Sequence, residues 1–323
     1  MGFSPFKSDF HGSNYLFYGH TPVTIFLGLF SLVFVMNIVF AIDQNYITHC
    51  AATIQSILCH HADTPLQFYI LIDQISQEKK DKLERAFHRP SVHLHFIPIQ
   101  SQLFTDFLTR DHLTRAVYYR LLIPELIPTA KVLYLDADTI VNGSILEFYN
   151  TELAAYMLAG VENYPSAYQN RQAQQPPGCF NSGVLLLNLD ECRRVDLKSL
   201  AMNYIKTRRV CDDQPILNGI IGTSWKVMPP KYNFTSSYLR FIQQQEEPLS
   251  PELQEAFTHP VIIHYTSANK PWLFFSNHHY RNLYWKYLKM TPFYHPFNRD
   301  IIADNLRLTR YLIRRKIRGH DRE

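Results

Sequence analysis

The sequence predicts an α/β fold whose mixed, mainly parallel sheet is flanked by helices, and three observations carry that prediction. From Met36 onward, short apolar runs alternate with helical stretches. The runs are apolar at successive positions rather than at every second one, as in strands buried on both faces. Three of them, NIVFAID, LQFYILID and KVLYLDAD, place Asp43, Asp73 and Asp136 at their ends. Carboxyl ends of strands are where open α/β sheets collect ligands.

Taken in order, NIVFAID is the first strand and YITHCAATIQSILCHH a helix with Ala, Ile and Leu on one side. LQFYILID is the second strand. SQEKKDKLERAFH follows as a charged surface helix opened by Ser76, with Lys79 three residues on. VHLHFIPI is a third strand, and TRAVYYRLLIPELI a helix as far as Pro124. KVLYLDAD is a fourth strand, and Gly183 to Leu189 a later one running into a helix. The intervening YPSAYQNRQAQQPPGC is polar and contains prolines, a loop expected to move over a site. DDQPILNGII opens another helix, WKVMPPKYN a late strand with a turn, and VIIHYTSANKPW a strand opening into a loop. The tail mixes Ile302, Leu306, Leu308, Tyr311, Leu312 and Ile317 with Arg307, Arg310, Arg314, Arg315 and Lys316, the pattern of a basic amphipathic helix able to lie on anionic lipid.

Bulk composition narrows the classes. With 323 residues, 46% of them hydrophobic, the chain can bury one large core. A net charge of +4 gives no argument for nucleic acid. Five cysteines without a CxxC pair point to free thiols rather than a structural zinc site. Thr21 to Ile42 carries no charge, so the run reads as a membrane anchor, a signal sequence, or an apolar leader running into the first strand. The last is preferred, because residues of a strand cannot also serve as half of a span. The expected organisation is an apolar leader over 1–35, a catalytic domain over 36–280 and a basic helical region over 281–323.

The chemistry centres on Asp136-Ala137-Asp138. Side chains alternate along a strand, so the two carboxylates turn to one side. They either cap a turn or offer two hard oxygen ligands to Mn²⁺ or Mg²⁺. His264 follows a second buried run and is either a hydrogen-bonded core histidine or a third ligand. Lys270, six residues on, is either a solvated loop lysine or a partner for phosphate. Asp212 and Asp213 suit the first turn of a helix, and Asn181-Ser182-Gly183 supplies small polar groups before a strand. No phosphate loop of the G-x-x-x-x-G-K type occurs. A metal-clamped diphosphate with polar groups for sugar hydroxyls fits transfer of a sugar from a nucleotide diphosphate.

Seven stretches in order, MNIVFAIDQNY, TRAVYYRLLIPELI, KVLYLDADTIV, FNSGVLLLNL, DDQPILNG, KYNF and HYTSANKPW, resemble the family 8 retaining glycosyltransferases over residues 36 to about 275. The subgroup that they resemble is the bacterial lipopolysaccharide glucosyl- and galactosyltransferases. The resemblance implies a GT-A fold and a manganese-dependent transfer from UDP-glucose or UDP-galactose that forms an α-linkage. It implies that Asp136, Asp138 and His264 hold the metal, that Ala41, Asp43 and Asn45 line the uridine pocket, and that Ala137 borders the donor. Arg120 and Lys270 would contact the donor, and Asn181, Asp213 and Gln214 would lie about its anomeric carbon. His112 and Glu162 match positions facing donor or acceptor. Pro215 departs from the family pattern, which carries a second acid there. The implied partners are a UDP-hexose, a lipid-linked oligosaccharide acceptor and the inner face of a bacterial inner membrane. A glycogenin-like transferase acting on protein or glucan is an alternative, and a non-catalytic sugar-nucleotide-binding protein is another.

Overall fold

The structure, a computed structural model, describes residues 34–104, 107, 114–164, 178–208, 213–244, 248–266 and 268–317. His112, Asp212, most of the loop after Tyr164 and the apolar run before Phe34 lie outside these residues.

Four strands alternate with helices as their apolar runs require. These are β1 (Met36–Ile42), α1 (Ile47–His60), β2 (Leu66–Ile72), α2 (Gln77–Phe87), β3 (Val92–Pro98), the short α3 (Ile123–Leu126) and β4 (Lys131–Leu135). The two carboxylates then follow, and β5 (Thr139–Val141) leaves for a second sheet. α4 (Leu146–Tyr149), β6 (Leu158–Glu162), β7 (Phe180–Asn188), α5 (Leu189–Arg194), α6 (Leu197–Arg208), α7 (Asp213–Ile221) and β8 (Lys226–Met228) come next. The chain continues through β9 (Phe234–Thr235), α8 (Ser236–Gln244), α9 (Pro251–Thr258), β10 (Ile262–His264), α10 (Arg281–Lys289) and α11 (Arg299–Ile317).

The main sheet has the order β3-β2-β1-β4-β7-β6-β8. β1 pairs in parallel with both β2 and β4, whereas β7 is antiparallel to β4 and to β6. Both faces are buried. Ile38, Phe40, Phe68, Ile70, Leu133 and Leu135 belong to one apolar cluster, and the alternate residues Val39, Tyr69, Leu71, Val132 and Tyr134 to the other. This double burial is the reason the strands read as unbroken apolar runs. The smaller sheet, β5-β10-β9, crosses the end of β4. It pairs His264 with Thr139, antiparallel, and with Thr235, parallel.

Four local expectations are corrected. Residues 115–122, expected as a helix ending at Pro124, form a 3₁₀ helix that runs on through Pro124 into α3. The strand expected from Gly183 begins at Phe180, so Asn181, Ser182 and Gly183 lie within β7. α1 is buried on all sides between Ile47 and Leu58, not along one stripe, because α10 covers its outer face with Tyr284, whose hydroxyl lies 2.7 Å from His49 Nδ1. The tail helix also differs from a surface arm: Ile301, Asp304, Asn305 and Leu308 are buried. The charged helix α2 does open as expected, with Lys79 N donating to Ser76 Oγ at 3.3 Å. Cys50, Cys59, Cys179 and Cys192 are free thiols. No helix among the described residues is long and apolar enough to cross a membrane.

Candidate functional site

A cleft of about 350 Å³ opens at the carboxyl ends of β1 and β4. Its wall includes Ala41, Asp43, Tyr46, Arg120, Asp136, Ala137, Asp138, Asn181, Gly183, Asp213, Gln214, His264, Lys270 and Arg307. Asn45 stands exposed beside it, its backbone N–H donating to Asp43 Oδ1 at 2.7 Å.

The junction of the two sheets places the metal-type ligands. β4 ends at Leu135, and Asp136 N donates to the carbonyl of Gly183 at 2.8 Å, extending the antiparallel ladder one residue further. Tyr265 N donates to the carbonyl of Asp138 at 3.0 Å, which brings β10 alongside. From beneath, Thr53 on α1 donates its hydroxyl to the carbonyl of Thr139 at 2.7 Å. The result is a cluster in which one ligand atom from each of Asp136, Asp138 and His264 lies within 4.8 Å of the others. His264 Nε2 lies 3.3 Å from Asp138 Oδ1 and 3.6 Å from Asp136 Oδ2. The buried amide oxygen of Asn233 accepts from His264 Nδ1 at 3.1 Å and orients the ring so that Nε2 faces the two carboxylates. Asn233 is itself oriented by donating to Asn181 Oδ1 at 2.9 Å.

Gly183 is where this closeness is won. A Cβ added there would stand 2.2 Å from His264 Cε1 and 2.5 Å from Asp136 Oδ2. Only a residue without a side chain lets β7 pass the cluster.

The charges around the cluster are paired. Arg120 is buried, donating to Asp136 Oδ1 at 2.8 Å and to the Ser182 carbonyl at 2.7 Å, with Asp213 Oδ2 at 3.0 Å. Its guanidinium lies over the Tyr134 ring, 4.5 Å from the centroid. Tyr134 hydroxyl donates to Asp136 Oδ1 at 2.5 Å. Lys270 donates to Asp138 Oδ2 at 2.5 Å and to the Tyr265 carbonyl at 2.7 Å. Burial pushes the Asp138 carboxyl up, but Lys270 and His264 outweigh burial and hold it far below the usual carboxylate range. Asp213 is raised instead, mainly by burial and further by Asp136, with Arg120 opposing. Gln214 Oε1 accepts from Asn181 Nδ2 at 3.1 Å and from Ser182 N at 3.2 Å, joining α7 to β7. Glu162 lies outside the cleft wall; its carboxylate accepts from Gly178 N at 2.6 Å.

Two carboxylates and one imidazole nitrogen form a donor set suited to Mn²⁺ or Mg²⁺. Of the residues singled out in the sequence, Asp136, Asp138, His264, Arg120, Lys270, Asn181, Asp213 and Gln214 line this one cleft. Sequence reasoning missed Tyr134, Asn233 and the tail residue Arg307. Asn233 stands in the KYNF stretch noted for its resemblance, which was the one available signal for it.

Comparison with known proteins supplies the rest. The profile of Glycosyl transferase family 8 matches residues 37–275. Glycosyltransferase GlyF of Streptococcus pneumoniae is 29% identical over 78% of this chain, which spans 61% of that relative's length. The lipopolysaccharide 1,3-galactosyltransferase of Salmonella typhimurium is 25% identical, over 73% of this chain and 72% of its own. A crystal structure of the galactosyltransferase LgtC in complex with donor and acceptor sugar analogs superposes with a TM-score of 0.70 at 24% identity, covering 81% of this chain and 98% of that one. The architecture is therefore the GT-A fold, and the chain belongs to glycosyl transferase family 8.

Proposed function

We propose that this family 8 chain moves glucose or galactose from a UDP-sugar to a lipid-linked lipopolysaccharide- or lipooligosaccharide-type core acceptor, in an α-linkage and with a divalent metal, manganese by preference. The observation that carries the reading is the Asp136–Asp138–His264 cluster, set in a cleft whose wall also holds Arg120 and Lys270. The three clustered residues would hold the metal, which when bound neutralises charge growing on the departing diphosphate.

The chain's own groups divide the remaining work. Lys270 and Arg120 are the cations nearest the cluster and offer charge-assisted hydrogen bonds to phosphate oxygens. Asp43 is the candidate for the nucleoside: its Oδ1 is taken by the Asn45 N–H, and its buried Oδ2 makes no hydrogen bond among the described residues. Such an acceptor suits a base or ribose donor. Asn181, Asp213 and Gln214 are assigned to the donor sugar, and Glu162 and His112 to the acceptor side. In the transfer, the bond from the anomeric carbon to the phosphate oxygen breaks and a bond to the acceptor oxygen forms on the same face. The hydroxyl proton passes to the leaving phosphate. Gln214 is an amide, a poor nucleophile, which favours this front-face course over a double displacement.

The assigned place of work is the cytoplasmic face of the inner membrane, with residues 36–280 carrying catalysis and 281–323 the lipid contact. Phe275 is fully exposed and Phe274 57% exposed, and Phe274 N donates to Asn305 Oδ1, so this aromatic loop adjoins α11. Exposed Leu306, Ile313, Arg310 and Arg314 continue the surface, a combination of apolar and basic groups suited to anionic lipid.

The test is UDP release from UDP-glucose and UDP-galactose by the full chain, with Mn²⁺ or with chelator, beside Asp138→Ala. Metal-dependent release, lost in the variant, supports the reading and names the donor. Release indifferent to metal and to the substitution refutes it. Sedimentation with anionic vesicles, reduced in Phe275→Ser, tests the lipid contact separately.

A further inference from the structure

The end of the chain takes part in the cleft. On α11, Ile301, Asp304, Asn305 and Leu308 fall on one helical face and are all 5% exposed or less. Two polar residues on that face are clamps. Asn305 donates to the Trp272 carbonyl at 3.1 Å and accepts from Phe274 N at 2.9 Å, while Asp304 accepts from Trp272 Nε1. They fasten the helix to the segment that begins with Lys270. One turn beyond the first clamp, Arg307 and Leu308 enter the cleft wall.

Arg307 differs from the other two cations of that wall in where its countercharge stands. Arg120 lies between Asp136 and Asp213, and Lys270 lies on Asp138; all three acids border the cleft. The countercharge of Arg307 is Asp304, which is 4% exposed and not part of the wall, and its guanidinium also bonds the Tyr46 hydroxyl. Asp304 accepts from Arg307 Nε at 3.0 Å, and the guanidinium lies 5.9 Å from the centroid of the Tyr46 ring. Tyr46 shares the cleft wall with Asp138, and burial, then Asp304 and Asp138, raise its hydroxyl pKa. Arg307 is thus held from its own helix against a ring that lines the same cleft as the cluster.

We propose that Arg307 is a donor-binding residue whose guanidinium takes a phosphate oxygen of the nucleotide's diphosphate, with Asp304 as the positioning residue that fixes it. The inference rests on the sugar-nucleotide reading above. A guanidinium fork matches phosphate geometry and keeps its charge at any working pH. Holding the side chain beforehand lowers the rotamer entropy lost when the ligand binds. Arg307 lies beyond the residues matched by the family profile, 37–275, so this contact would be contributed by the chain's own C-terminal helix.

The experiment is calorimetric titration of UDP and of uridine into the full chain with Mn²⁺, for wild type, Arg307→Gln and Arg307→Lys, alongside donor KM and kcat. A loss of one charge-assisted phosphate contact is expected to weaken UDP binding about 10-fold in Arg307→Gln. Arg307→Lys, which keeps the charge and the pairing with Asp304, should fall between and guards against a folding defect in the glutamine variant. Uridine binding should be unchanged, and donor KM should rise with kcat nearly constant. Equal UDP affinity in all three proteins, or an equal loss for uridine, overturns the assignment. Absence of UDP binding and turnover in wild type would instead refute the function on which it rests.

Discussion

At the end of the cleft formed by Asp136, Asp138 and His264 each charged side chain is held by another: Arg120 by Asp136 and Asp213, Asp138 by Lys270. At the other end, where Asp43 and Asn45 stand, the groups are tied mainly to their own turn, through Asn45 N to Asp43 Oδ1 and Tyr46 N to the Asp43 carbonyl at 3.1 Å. The first end is fixed in advance and its energetics lie in developing charge, where preorganised groups count most. The second end offers acceptors for recognition, where each contact contributes modest and more uniform binding. Substitutions at the two ends should therefore differ in kind as well as in size.

The largest effect is expected at the first end. Asp138→Ala should lower metal-dependent UDP release by about 10³-fold or more, and chelator should do the same to the wild type; a loss confined to donor KM would erase the contrast between the ends. Next is a pH effect on the loop that carries Lys270. Burial, with His279 and Lys270 adding to it, lowers the His278 pKa from 6.5 to about 4. The ring is neutral, because its Nδ1 accepts from Tyr280 N at 3.3 Å while Nε2 faces Ser236 Oγ. A depressed histidine pKa gives stability that is complete above about pH 6.5 and is lost as pH falls toward 4. The loss is at most about 3 kcal/mol. Urea unfolding at pH 7 and 4.5 should show a larger drop for the wild type than for His278→Gln, and equal drops would remove His278 from the account.

Gly183→Ala should cost activity about 10²-fold, since an ångström-scale displacement of the cluster suffices for that. Gly143→Ala, whose new Cβ would come no nearer than 3.6 Å to Val261, should leave turnover intact and serves as the matched control. Tyr134→Phe removes one hydrogen bond to Asp136 and should lower kcat by about 10-fold. Smallest is Asp43→Asn at the recognition end, where donor KM should rise by a few-fold with kcat unchanged. A fall in kcat there would show that the two ends act as one unit.

Much of this arrangement was legible in the sequence, for identifiable reasons. A strand buried on both faces leaves an unbroken apolar run, and an aspartate at its end cannot be mistaken for packing, so β1, β2 and β4 and the residues Asp43 and Asp136 stood out. The direction of β7 did not, because an apolar run looks the same parallel or antiparallel. Direction is what lets Gly183 face Asp136. Asn233 and Tyr134 were hidden because ordinary polar and aromatic residues reveal their role only through the partners brought to them by remote strands. How the tail packs was hidden for a related reason. Its arginines gave the periodicity of a surface helix, while burial of Asp304 and Asn305 is decided by Trp272, more than thirty positions earlier.

The backbone bond from Asp136 N to the Gly183 carbonyl has a bearing on dynamics. It continues the β4–β7 ladder in the middle of a sheet buried on both faces, so this amide can meet solvent only when that ladder separates. In deuterium exchange it should rank with the slowest amides of the chain, far behind that of Asn45 in its exposed turn. If it does, the carboxylate of Asp136 is carried on backbone with no hinge of its own.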